Sequence, residues 1–600
     1  MAESYCSRPH LYRKGCPCME HVHTKPAQGR RRRVKPWLNL SDLEKQAVLH
    51  ACQTEYPVIS SENPASRCKT VFDAALRSGT DRSKDSRQLR MELEAGQLLR
   101  KYNPRDCVTS IEREDAYAKW VDYDRRLASV NLMFQNVTYL DNVQKCVLYR
   151  AKALVEEVLG RAPTYTEVAL ASSHGPKSTL EHADGWFAEE KKYETLLFDP
   201  KYYLNKDLTS YLRALLHCND RLKREAIKLL NPWSLRLLPD TITGLGSVEQ
   251  LLLASRSQIA HQGNRFSAVP KTADSVRPIC VEATSHMFFQ RGLGFLIRQR
   301  LKTVGIDLDL QFRVHEKLVQ HHSDQICTID LSSASDSISL ELVRFLVPND
   351  WFQHLSRLRA ETTKFRGNLH TLQKISSMGN GFTFELETLL FYCISEASRQ
   401  VNCLDSVLPQ AAFVGVSPHI RQIGVTVFGD DIIAPIDSYN PILEVLELCG
   451  FSINIEKTHG PDSRIKESCG YFSIDNEGFD LVTIKSLKSL PDLVSVRNRL
   501  FLRRDRYRGL FLKINNILKE AFGNRDLLIK EFYSVSTTLP EFAVVYVTDC
   551  KASSVSKYFA PRMSRKKSKS RLNLLLAVRD GTRADLVKSW SLRWTVKHQR

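Results

Sequence analysis

Three aspartates stand where apolar strands give way to turns. Residues 423–435 read IGVTVFGDDIIAP, with β-branched runs on both sides of Phe428-Gly429-Asp430-Asp431. The pattern predicts strand, tight turn, strand, because Gly permits the turn and Asp is a turn residue rather than a strand residue. Adjacent carboxylates at the tip of an apolar hairpin repel each other, and desolvating either is costly unless it is paired. A hard divalent cation with oxygen ligands, most simply magnesium held between carboxylates and phosphates, would remove that cost. Such a metal needs a third carboxylate. Residues 325–336, QICTIDLSSASD, supply one: an apolar strand ends at Asp330, small polar residues turn the chain, and Asp336 follows six positions later. Taken alone, an Asp at a strand end is more often a helix cap or turn residue than a ligand.

The stretches around these aspartates carry further groups suited to phosphate chemistry. Residues 265–281, RFSAVPKTADSVRPICV, read as two extended pieces around a polar turn that project Lys271 and Arg277, and a helix over 285–302 follows. Alone, this is a surface hairpin with ordinary cations. After the second aspartate, 338–346 reads as a helix that stops before Pro348. Residues 374–397, KISSMGNGFTFELETLLFYCISEA, form a glycine-bearing loop running into a long helix. Gly379 and Gly381 around Asn380 allow a sharp bend or a close approach to a ligand, with Glu385 and Glu387 read as solvent-facing. Beyond the FGDD hairpin come a helix over 442–449, the extended FSINIEKTHG with Lys457, and a turn and strand opened by ESCG.

The elements that must position these groups occupy a long chain. Six hundred residues suffice for several domains and a large core, and 42% hydrophobic against 26% charged residues describes a soluble globular protein. No apolar run approaches a membrane span, and residues 1–30 lack the apolar centre of a signal peptide. Fifteen cysteines without repeating spacing suit free thiols in a reducing cytoplasm. Residues 1–40 hold nine Lys/Arg against two Asp/Glu, and residues 551–600 hold fourteen against two. These ends carry the whole net charge of +19, leaving 63 basic and 63 acidic residues between them. Basic arms on a neutral body point to a polyanionic partner, with nucleic acid ahead of membrane; the alternative is solvated tails.

From Ser41, whose Ser-Asp-Leu-Glu run is a capping box, helical periodicity recurs over 83–102, 111–134 and 141–160, separated by loops rich in Pro, Gly and Asn. No chemistry is legible between 41 and 246. His174-Gly175-Pro176-Lys177-Ser178 lacks the upstream glycine of a phosphate loop, and the Cys and His of residues 6–23 match no zinc spacing. Ser247 caps a short helix, and from about 485 the chain is again largely helical, ending in the basic run 562–571 and a tail with Trp590 and Trp594.

The order of these pieces resembles motifs F, A, B, C and D of viral RNA-dependent RNA polymerases. The wording resembles one family in particular, the replicase catalytic subunits of the RNA bacteriophages (leviviruses): VPK followed by HMFFQ, DLSSASDSISL, KISSMGNGFTFELE, FGDDI, and GF with EKT then ESCG, over roughly residues 265–472. GDD alone is a weak signal, whereas two long strings agreeing in order and spacing are a strong one. Phe428 stands where the family usually has Tyr, and Glu387 stands where many viral polymerases have an Asn that helps read the sugar.

The resemblance implies an α+β right-hand polymerase with fingers, palm and thumb and an antiparallel palm sheet. The expected division is a basic arm at 1–40, a mostly helical region at 41–246, fingers and palm at 247–484 with the catalytic motifs about 316–465, a thumb-like region at 485–560 and a basic tail at 561–600. It implies template-directed RNA synthesis from NTPs on an RNA template, by two-metal phosphoryl transfer in the cytoplasm of an infected bacterium. Asp330, Asp430 and Asp431 would hold two Mg2+ ions about 3.5–4 Å apart. Lys271 and Arg277 would grip the triphosphate, and Asp336 would read the ribose 2′-hydroxyl. Gly379, Asn380 and Thr383 would line the nucleotide site, and Lys457 would be the general acid for pyrophosphate. The family works with host elongation factors Tu and Ts and an RNA-binding ribosomal protein, so these partners are expected by resemblance, with no membrane. A reverse transcriptase is disfavoured by Asp336 and by Gly429. A non-enzymatic RNA-binding or packaging protein would explain the basic ends but not the ordered carboxylates. A capsidless-virus polymerase is disfavoured by the SMGNGFTFELE wording.

Overall fold

The computed structural model describes residues 39–105, 107–175, 178–180, 208–218, 263–272, 275–413, 424–501, 503 and 506–522. The basic arm, the Ser247 cap, the thumb-like stretch beyond 522, the run 562–571 and both tail tryptophans lie outside the described residues.

α1 (Asp42–Glu55) opens on the expected capping box, with the Glu44 N–H donating to Ser41 Oγ and the Ser41 N–H donating to Glu44 Oε2 at 2.7 Å. α2 (Pro64–Arg77) falls in a stretch whose Pro and Asn read as loop, although Asn63 caps it and Pro64 sits at its first position, both helix-start signals. α3 (Ser86–Arg100), α4 (Ser110–Gln135) and α5 (Asn142–Leu159) fall where the periodicity puts them, and α5 stops at Gly160. α6 (Tyr165–Ala171) and α7 (Thr209–Cys218) follow.

β1 (Asn264–Pro270) and β2 (Val276–Val281) form the expected antiparallel pair, with Phe266 opposite Cys280, and lead into α8 (Thr284–Thr303). α9 (Gln311–His321) precedes β3 (Ile326–Ser332); the sequence reading lacks this helix, though Val314, Leu318 and Val319 recur at helical spacing and are buried. α10 (Leu340–Leu346), α11 (Asn349–Leu358), β4 (Thr362–Phe365) and β5 (Asn368–Thr371) come next, then the long helix α12 (Thr383–Asn402). β6 (Thr426–Phe428), β7 (Asp431–Pro435), α13 (Tyr439–Leu448), β8 (Ser452–Ile453), β9 (Ile465–Ser468), β10 (Tyr471–Ile474), β11 (Glu477–Asp480), α14 (Leu490–Phe501) and α15 (Arg508–Phe522) complete the described elements.

The architecture is α+β, with helices around three sheets in the orders β2-β1-β4-β5, β6-β7-β3-β8 and β11-β10-β9. Every strand pairing is antiparallel except that of β1 with β4. The largest core lies under the second sheet, where Leu386, Leu389, Leu390 and Ile394 of α12 meet Val427, Ile432 and residues of α5, α8 and α13. Truncating one such leucine to Ala would cost about 2–5 kcal/mol. The N-terminal helices share cores with distant segments: α1 and α3 with α14 and α15, α2 and α3 with the third sheet, and α4 with β1 and β2. β3 does not end at Asp330. It continues because Leu331 and Ser332 pair with Ile453 and Ser452 of β8, so Asp330 sits within a strand.

Candidate active site

The carboxylates converge through strand register. β3 and β7 are antiparallel with Asp330 directly opposite Asp431, and Asp430 occupies the two-residue turn between β6 and β7. Gly429 begins that turn at φ 66°, and a Cβ there would stand 2.6 Å from the Phe384 ring, so only glycine fits. The Gly429 N–H donates to Thr388 Oγ1 at 3.0 Å, tying the turn to α12. Phe428 packs edge-on against Phe384 at 5.1 Å, a contact that needs the ring and not a hydroxyl.

Asp330 is held in place by Asn454 Nδ2, which donates to Oδ2, and by Lys457 Nζ at 3.2 Å from the same oxygen. Its N–H donates to Thr458 Oγ1 at 3.1 Å. Asp430 opens to solvent on one side, yet the crowding around it, and then the Asp330 charge, push its carboxyl above the ordinary range. Asp431 is pushed well above it, first by burial and then by Glu467, Asp430 and Asp330. Glu467 on β9 is a fourth carboxylate in the cluster, also raised, chiefly by burial and against the pull of Lys457. Sequence reasoning missed it: it stands in the ESCG string, but a Glu beside a Cys-Gly turn carries no signal of its own. Burial works against the charge of Lys457, but Asp330, Glu467 and Asp431 outweigh it and raise its pKa.

Lys271, just after β1, is lowered by burial and by Arg277 and Lys457, while Asp330 and Asp430 pull the other way. Both expected triphosphate cations therefore lie within electrostatic reach of the carboxylates. Gly379 has φ 120°, and a Cβ there would lie 2.2 Å from the Cys280 carbonyl oxygen, so the loop before α12 presses directly on β2. Asn380 is buried with its Oδ1 accepting from the Phe382 N–H at 3.0 Å, and Thr383 Oγ1 donates to the Ser377 carbonyl at 3.3 Å.

Two acidic residues have surroundings the sequence hides. Asp336 is buried, and its Oδ1 accepts from both Lys374 Nζ at 2.9 Å and Trp120 Nε1 at 3.0 Å. Glu387 is not solvent-facing: it is 4% exposed, accepts from Ser335 Oγ at 2.8 Å, and is pushed up to about 8 by burial and by Asp430. A position inside α12 that faces the sheet buries whatever side chain stands there. Glu385 is not solvent-facing either: its side chain is 12% exposed and pairs with Arg298 at 2.8 Å.

Comparison with known proteins finds likeness over part of the chain. The family model described as RNA replicase, beta-chain, matches residues 236–510. That segment, somewhat under half of the chain, is similar to RNA replicase beta-chains. The RNA-directed RNA polymerase subunit beta of Escherichia virus Qbeta is 38% identical over 246 residues, covering 40% of this chain and 38% of that protein. The RNA-directed RNA polymerase beta chain of Enterobacteria phage fr is 33% identical over 324 residues, covering 49% and 55%. The replicase match thus spans about half or less of these relatives. An RNA-dependent RNA polymerase of BmCPV superposes at a TM-score of 0.35 with 11% identity, covering 67% of this chain and 35% of that one, too loosely to bear on the fold. The matched segment contains every aspartate and lysine of this site, whereas Trp120 lies outside it.

Proposed function

We propose that the chain carries out template-directed RNA synthesis from NTPs, replicating a phage RNA genome. The observation that supports this most directly is Asp330 facing Asp431 across two paired strands, with Asp430 at the adjoining turn. Three carboxylates raised or pinned at one point, bordered by Lys271, Arg277 and Lys457, suit phosphoryl transfer between two polyanions.

The donor set is that of a hard divalent cation, and carboxylates raised first by burial and then by one another's charge are the state such a cation relieves. Among the described residues no group of three His, Cys, Asp or Glu side chains stands ready to hold a metal ion, so the carboxylates would have to close on it. Asp330, Asp430 and Asp431 would hold Mg2+, two ions in this reading, which when bound lower the pKa of the attacking 3′-hydroxyl and neutralise the triphosphate. Lys271 and Arg277 bind the phosphates. Lys457, kept charged by its acidic neighbours, is placed to deliver a proton to the departing pyrophosphate. Asp336 has one carboxylate oxygen engaged by two donors, which leaves the other for a ribose hydroxyl. Gly379, Asn380 and Thr383 shape the loop beside it.

In this reading the sheet β6-β7-β3-β8 with α12 and α13 is the palm of a right hand, β2-β1-β4-β5 belongs to the fingers, and α14 and α15 begin the thumb. The basic ends would follow RNA, and host elongation factors Tu and Ts with an RNA-binding ribosomal protein would be partners in the bacterial cytoplasm. No described helix is long and apolar enough to cross a membrane. The test is incorporation of labelled NTPs on an RNA template by the chain purified from a bacterial host, with and without Mg2+, against Asp330→Asn. Magnesium-dependent product that the variant cannot make is expected; equal product from both sinks the reading. Incorporation of dNTPs in preference to NTPs would favour a reverse transcriptase instead.

A further inference from the structure

We propose that Trp120 of α4 and Lys374 are positioning residues for sugar selection, fixing Asp336 as the acceptor for the 2′-hydroxyl of an incoming ribonucleotide. The proposal rests on the polymerase reading above, and it brings a helix outside the family segment into substrate choice. The Lys374 side chain is 0% exposed, with Nζ 2.9 Å from Asp336 Oδ1 and 4.1 Å from the centroid of the Trp120 ring. Trp120 is 2% exposed and donates Nε1–H to that same Oδ1 at 3.0 Å. One residue thus presents its ring face to the ammonium and its ring edge to the carboxylate.

The surrounding structure leaves this triad little freedom. Lys374 is anchored by its backbone: its carbonyl accepts from Arg359 Nη1 at 2.8 Å, and it bridges Ser339. One turn beyond Trp120 on α4, Asp124 accepts the Gln373 N–H at 3.1 Å, so the helix is stitched to the segment that carries Lys374. Trp120 itself packs against Phe266 of β1 at 5.5 Å.

A buried ion pair is weak evidence for stability, since apolar replacements of similar volume are often neutral or better. What this one achieves is direction. With Lys374 and Trp120 both on Oδ1, the carboxyl group cannot rotate without breaking two hydrogen bonds, and Oδ2 keeps a fixed place. A site built to bond a hydroxyl rejects the analogue lacking it because its polar group is left unpaired. That rejection fails if the polar group can turn aside.

The test compares kcat/KM for an NTP and its dNTP in four proteins: wild type, Asp336→Asn, Trp120→Phe, and the double variant Lys374→Met with Asp336→Asn. Trp120→Phe keeps a ring under the ammonium and removes only the N–H, and its melting temperature reports whether it folds. It should narrow the NTP-over-dNTP ratio about tenfold, the range for losing one hydrogen bond to a charged group, with a larger change in the ratio than in kcat for the NTP. The double variant, which buries no lone charge, should discriminate no worse than Asp336→Asn alone, since Lys374 acts only through Asp336. A folded Trp120→Phe protein with wild-type discrimination, where Asp336→Asn has lost it, overturns this inference alone. A double variant that discriminates much worse than Asp336→Asn also overturns it, by giving Lys374 a separate role. Wild-type protein that incorporates neither nucleotide overturns the polymerase reading itself.

Discussion

Asp336 and Asp431 are both carboxylates withdrawn from bulk water, and they differ in what meets them. Asp336 receives an ammonium and an indole N–H on one oxygen. Asp431 receives three more carboxylates as neighbours, with Lys457 the nearby cation that opposes them. The first has its charge balanced within the fold; the second is frustrated, and a divalent cation is what would relieve it. In the proposed polymerase, the charge satisfied within the fold would orient substrate, and the charge left in conflict would mark where the cation binds.

The largest expected effect separates the two regions outright. Asp330→Asn or Asp430→Asn should abolish synthesis at any Mg2+ concentration, with Asp431→Asn the most forgiving of the three. Because Asp430→Asn removes a repelling charge, its metal-free melting temperature should equal or exceed that of the wild type. Near-normal turnover by the Asp330 or Asp430 variant would dissolve the distinction, as would a large fall in its melting temperature. Asp336→Ala should behave in the opposite way. It leaves the buried Lys374 ammonium uncompensated, at a cost of about 3–5 kcal/mol, and narrows NTP-over-dNTP preference. Denaturant unfolding of both variants side by side measures the contrast, and similar stabilities would mean that the Asp336–Lys374 pair is not electrostatically closed.

Lys457 lies on the boundary, since it is the cation nearest the frustrated cluster and pairs with Asp330 at 3.2 Å. If it delivers a proton, Lys457→Leu slows the single-turnover rate by about 10²–10⁴-fold with nucleotide affinity nearly kept. A normal single-turnover rate would reduce Lys457 to a structural partner of Asp330.

The frustrated region was the legible one. Aspartates at strand ends and turns, a glycine that must turn, and a lysine after an extended run all announce themselves in one dimension. The short spacing also predicts both strands of the hairpin, although pairing of Leu331 and Ser332 with β8 carries β3 past Asp330. The satisfied region was hidden for a physical reason. Trp120 is separated from Asp336 by more than two hundred residues, and on an amphipathic helix a buried tryptophan looks like core. Lys374 begins a glycine loop, where a lysine reads as solvated, and nothing local foretells its burial. α2 and α9 carried the signals and were passed over: α2 has Asn63 and Pro64 at its start and a buried stripe from Ala65 to Leu76, and α9 has Val314, Leu318 and Val319 at helical spacing. Burial of Glu387 follows from the side of α12 that faces the sheet, which the tertiary fold decides.

Glu387 gives the smallest effect and the sharpest test of the comparison, because it joins the regions: Ser335, next to Asp336 in sequence, donates to it at 2.8 Å, and Asp430 raises it. Burial first, then the Asp430 charge, lifts its pKa from 4.5 to about 8. The folded protein therefore holds a proton that the unfolded chain has released between those values. Its contribution to stability is fully present below about 4.5 and is lost as pH rises through about 8. Glu387→Gln cannot ionise and should escape that loss. In metal-free buffer the variant should match the wild type at pH 5 and exceed it by about 2–4 kcal/mol at pH 9, read from denaturant melts. A difference that stays constant across this range would mean that Glu387 is ionised throughout. The charge conflict would then be confined to Asp430, Asp431 and Glu467, and α12 would take no part in it.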